Sequence, residues 1–101
     1  MKAAGALHLL MSSDPRAVRD CMSFAGEGES VLLVDRAVDL LCALGVGAVS
    51  EKRSEGLLFA LRADVVAAGL EQRASKLEVG LLSDEDWVDL VCASERVLSW
   101  K

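Results

Sequence analysis

Three cysteines (Cys21, Cys42 and Cys92), the single histidine His8 and the acidic run Asp84-Glu85-Asp86 are the residues whose types suggest chemistry. A thiolate is a nucleophile and a metal ligand. The cysteines are odd in number, widely spaced and without a C-x-x-C pair, and one histidine cannot complete a zinc set. No metal or other cofactor is expected, and the cysteines read as free thiols of a reducing compartment. In Ser83-Asp84-Glu85-Asp86 an N-cap serine stands three places before an acid. That pattern starts a helix and matches carboxylates to the positive end of its dipole, so it reads as a solvated first turn and not as an active site. Gly45-Val46-Gly47 is a lone G-x-G after a helix, whereas a phosphate loop leads from a strand into one. It reads as a connector. With no nucleophile–base pair, phosphate loop or metal set, an independent enzyme is the weakest of the functional classes.

The elements that must position these groups follow from the apolar pattern. Leu7–Met11, Val31–Val34, Leu57–Leu61 and Val79–Leu82 are short, nearly continuous apolar runs. Strands of a parallel sheet covered on both faces look like this. Between them lie segments of helical period. Asp14 caps the first, with Pro15 at its first position, and Val18, Cys21, Met22 and Ala25 form its stripe. Gly26 ends it. Ala37, Leu40, Leu41 and Leu44 repeat the spacing in the second helix, which Gly45 stops, and the polar loop Ser50–Glu55 follows. A third, short helix spans about Ala63–Ala68, with Arg62 as a poor N-cap and Gly69 as a left-handed end. The fourth carries Trp87, Leu90 and Val91 and ends near Ser94. This alternation predicts an α/β fold: three layers, α/β/α, around a small, mainly parallel four-stranded sheet with right-handed crossovers. Residues 1–101 suit one domain.

Hydrophobic residues make up 52% of the chain but aromatics only 4%. The core must therefore be built from Leu, Val and Ala, and the excess apolar surface points to a subunit interface. No apolar stretch approaches the roughly 18 residues a membrane span needs. The apolar opening after Lys2 stops at Ser12-Ser13-Asp14 without a small-x-small cleavage site, so a cytoplasmic protein is expected. The net charge of −5 and the scattered Lys and Arg offer no basic stripe. Direct nucleic-acid binding is disfavoured.

In order and spacing these landmarks resemble the TusB/DsrH family. The Leu7-His8-Leu9-Leu10 strand is similar to the family's opening Leu-His strand, and Ser12-Ser13-Asp14-Pro15 to its Ser-Pro-type loop. Gly26-Glu27-Gly28-Glu29-Ser30 before Val31-Leu32-Leu33 is similar to its Gly-rich acidic turn. Phe59-Ala60-Leu61, Ala67-Ala68-Gly69-Leu70, Trp87-Val88-Asp89-Leu90 and Trp100 match later landmarks. One departure is Asp35-Arg36-Ala37 where the family commonly has Asp-Gly-Val, which removes backbone permissiveness at that turn. The resemblance implies a subunit of a sulfur-relay complex that passes persulfide sulfur along cysteines, together with DsrE/TusD-like and DsrF/TusC-like subunits. Such complexes serve 2-thiolation of the tRNA wobble uridine or dissimilatory sulfur oxidation. The principal sulfur carrier is the DsrE/TusD chain. Members of the DsrH branch also carry a cysteine in the first helix, where Cys21 stands, and this tilts the resemblance toward that branch.

For Cys21 two readings remain. Its helical neighbours Ala17, Val18, Phe24 and Ala25 are apolar, and Asp14 lies about two turns away, so dipole help has faded. That describes a buried, inert thiol. The family position describes a candidate sulfur acceptor, which would need electropositive surroundings from another subunit. His8, inside an apolar strand, is expected to be packed and hydrogen-bonded at an interface, with no local carboxylate to orient it as a base. Arg96 lies four residues beyond Cys92. Trp100 ends an apolar tail, Val97-Leu98-Ser99-Trp100, expected to dock on its own sheet edge or, preferably, across a subunit boundary. The rival reading of function is a homo-oligomeric interaction protein of the same fold, self-associating without sulfur chemistry.

Overall fold

The four apolar runs form strands, and a fifth joins them. The computed structural model describes residues 6–25, 29–43 and 58–101. In it β1 (Ala6–Leu10), β2 (Ser30–Leu33), β3 (Leu58–Leu61), β4 (Gly80–Leu82) and β5 (Arg96–Trp100) make one sheet. The order is β4-β3-β2-β1-β5 and every ladder is parallel. The expected four-stranded sheet is corrected to five strands, because the apolar tail pairs with β1 from Ala6↔Arg96 to Leu10↔Trp100. The segment is apolar, but no turn or period separates it from the end of a helix as a strand of its own. Its conformation comes from a ladder to the opposite end of the chain.

Between β1 and β4 the chain steps across the sheet in one direction, and its helices cover one face. These are α1 (Pro15–Phe24), a 3-10 turn (Asp35–Asp39) running into α2 (Leu40–Ala43), α3 (Arg62–Ala67) and α4 (Glu71–Lys76). Under them Leu10, Val31, Leu33, Leu58 and Ala60 of the strands meet Cys21, Ala37, Val38, Leu41, Val65 and Ala74. The return from β4 to β5 runs the opposite way across the sheet. A right-handed crossover then has to use the other face. Accordingly α5 (Asp84–Ala93) sets Leu90 against Leu7 and Leu32, with Trp87 and Val91 partly buried around them. The three-layer α/β/α arrangement follows.

The caps read from the residues are present. Asp14 accepts from the Arg16 N–H at 2.9 Å, and Ser83 and Asp86 close a reciprocal capping box at 3.1 and 3.2 Å. Two local details differ. Arg62 is the first residue of α3, not its cap, and α4 was not foreseen, since its only buried side chain is Ala74. The parts expected of Gly26, Leu44, Gly45-Val46-Gly47 and Ser50–Glu55 lie outside the described residues.

After β2, the left-handed residue is Asp35 (φ 52), not Arg36. Aspartate is among the few L-residues that visit this region routinely, so glycine at position 36 is not what the turn requires. The Asp35 N–H donates to Asp64 Oδ2 at 2.6 Å. At the end of α3, Gly69 (φ +70) allows the Gly69 N–H to reach Val66 O and the Leu70 N–H to reach Val65 O, both at 3.0 Å. That is the Schellman pattern. A Cβ added at Gly69 meets nothing within 4 Å. Gly69→Ala should therefore cost only the backbone term, about 1–2 kcal/mol of unfolding free energy by chemical denaturation. A neutral result would show that the turn does not hold its conformation.

Candidate functional site

His8 stands in the middle of β1 on the face shared with Leu10, and it is 1% exposed. A buried imidazole needs partners for both ring nitrogens. Nε2 lies 2.8 Å from Glu29 Oε1, and Nδ1 lies 3.0 Å from Trp100 Nε1. An indole N–H only donates, so Nδ1 accepts and the proton given to Glu29 sits on Nε2. Glu29 also accepts from the Ala6 N–H through Oε2 at 3.3 Å. The His8 and Trp100 rings stack at 6.0 Å between centroids, and the Phe24 ring lies 5.4 Å from that of Trp100, tilted by 44°.

The carboxylate judged missing from the sequence is thus supplied by Glu29. The signal lay in the parallel ladder: Leu7 pairs with Ser30, so one step back sets Glu29 beside Ala6 on the His8 side of the sheet. Orientation does not make His8 a general base here. Both nitrogens are engaged by partners within the chain and the ring is buried, so neither faces a substrate. The packed, hydrogen-bonded state expected for His8 is present, but its partners belong to the same chain. Of the two docking places considered for the tail, it takes its own sheet edge. Trp100 remains half-buried there.

The cysteines are not brought together. Cys21 is fully buried on the sheet-facing side of α1, in the core with Ala17 and Ala25. Cys42 and Cys92 are exposed. Arg96 does not flank Cys92 on a helix, because α5 ends at Ala93 and Arg96 begins β5. The acids Asp84, Glu85 and Asp86 are exposed on the first turn of α5, and among the described residues no group of His, Cys, Asp or Glu is placed to hold a metal ion. No helix among the described residues is long and apolar enough to cross a membrane.

A parallel sheet covered on both faces, with its histidine tied to the edge strand, defines a small three-layer α/β domain. The family model described as "DsrH like protein" matches residues 12–97, and the chain belongs to the DsrH-like family. The structure is also similar to that of a conserved protein of unknown function from Bacteroides thetaiotaomicron, with a TM-score of 0.73 over 93% of each chain. At 13% identity that likeness is one of fold alone. No curated protein matches the chain.

Nitrogen NMR of the imidazole should show a pyridine-like Nδ1 and a protonated Nε2. Trp100→Phe keeps a ring but removes the donor, and should cost about 1–3 kcal/mol for the unmatched buried acceptor. A protonated Nδ1, or no loss of stability, would refute the assignment. In the native protein an alkylating reagent should modify Cys42 and Cys92 and spare Cys21 until denaturant is added; early labelling of Cys21 would show that α1 opens readily.

Proposed function

We propose that this chain is a subunit of a sulfur-relay assembly that supports persulfide transfer without itself carrying sulfur. Membership of the DsrH-like family is the observation that carries this reading. The assembly is cytoplasmic, and its other members are DsrE/TusD-like and DsrF/TusC-like chains. It delivers sulfur either to the tRNA wobble uridine or into dissimilatory sulfur oxidation.

The choice between a carrying and a non-carrying subunit rests on Cys21. In persulfide transfer an acceptor thiolate attacks the terminal sulfane sulfur of a donor persulfide, a new S–S bond forms, and the donor leaves as thiolate. The acceptor sulfur must be reachable by the donor and is aided by positive surroundings. With its side chain in the core beneath α1, Cys21 meets the first condition only if α1 leaves the sheet. Cys42 and Cys92 are reachable. Neither occupies the family's cysteine position in the first helix. The non-carrying role needs no such opening and is the one adopted here.

Affinity purification of the tagged chain from its native host should bring down the two paralogous chains, with persulfide detected by mass spectrometry on the DsrE/TusD-like partner. Recovery without either paralogue would defeat the relay reading. Within a recovered complex, Cys21→Ser should leave sulfur transfer to the acceptor within about twofold of the parent rate. Loss of transfer with assembly intact would make Cys21 a sulfur acceptor instead.

A further inference from the structure

The outer edge of β5 lies open among the described residues. β5 ends the strand order, and among the described residues only β1 pairs with it. In a parallel ladder alternate residues address one neighbour. The Met11 N–H donates to the Trp100 carbonyl at 2.9 Å, so Arg96, Leu98 and Trp100 address β1. Val97 and Ser99 direct their N–H and C=O groups outward. Natural edges are usually blunted by charged side chains, proline, a bulge or a covering element, and of these β5 carries the charge of Arg96 at its start. β5 contains no proline, and its register with β1 runs unbroken along the strand. Beside this edge Phe24 is 70% exposed against Trp100, and on the other face Val97 is 39% exposed.

We infer that β5 pairs antiparallel with β5 of a second copy of this chain, about a two-fold axis at Leu98. In that register Val97 of each copy faces Ser99 of the other. Both are outward-directed residues, so each such pair exchanges both of its N–H···O bonds. Arg96 comes opposite Trp100 of the second copy, a cation beside an indole. Glu95 comes opposite Lys101, an opposite-charge cross-strand pair at each end. Moving the axis to Val97 sets Arg96 against Leu98 and Glu95 against Ser99; moving it to Ser99 sets Val97 against Lys101. Both alternatives lose the two favourable pairings, so charge complementarity selects Leu98. The arrangement is isologous and closes. It joins the two sheets into one and brings Phe24 of each copy to the seam. It depends only on the edge and its charges, and stands whether or not the chain serves a sulfur relay.

Sedimentation of the chain alone at micromolar concentration should give a dimer. Ser99→Pro removes an outward N–H and no bond to β1, a position where a strand tolerates proline, and should weaken dimerisation at least about tenfold. Glu95→Lys should weaken it by placing like charges at both ends, and adding Lys101→Glu should restore it; this pair leaves the backbone untouched should the proline variant fail to fold. A monomeric parent chain, including one that pairs through this edge only with a paralogue, overturns the inference. So does failure of the double charge exchange to recover the dimer.

Discussion

A histidine in the strand next to the sheet edge imposes the constraint on which much of this structure rests. Burying an imidazole with an unmatched nitrogen costs about 1–3 kcal/mol, a sizeable share of a small domain's stability. The chain meets that requirement from two distant places. Glu29 approaches from the turn before β2 and Trp100 from the end of β5. Together they tie β1 to both its neighbours on one face. The donor-only indole also decides which nitrogen of His8 carries the proton. A residue type usually associated with proton transfer is thereby made structural.

The direction of the crossovers distributes the remaining chemistry. Because β1 to β4 advance one way, α1 lies on the more crowded face and presses Cys21 into the larger cluster. The reversal to β5 leaves α5 on the opposite face, where its acidic first turn meets solvent. The thiol of α1 is therefore the least accessible of the three, and the exposed thiols sit on other helices. This burial supports the non-carrying role proposed above.

Much of the architecture was legible in the residues because its signals are local. Apolar run length, the Asp14-Pro15 and Ser83–Asp86 caps and the Gly69 terminator each depend on a few neighbouring positions. The small helix α4 escaped because a single buried alanine makes no periodic stripe. The departure at Arg36 looked costly in sequence, yet the strained backbone position is one residue earlier and is held by an aspartate.

What the sequence determined by itself was the α/β class, the parallel sheet, the net acidic charge and the family. These follow from composition, period and order along the chain. Only the tertiary structure decided that the tail is a fifth strand, that Glu29 and Trp100 complete His8, and that Cys21 lies buried. Each of these depends on which strands become neighbours and which face a crossover takes. Pairing between opposite ends of a chain leaves no periodic trace in either end, so it becomes visible only when the sheet is assembled.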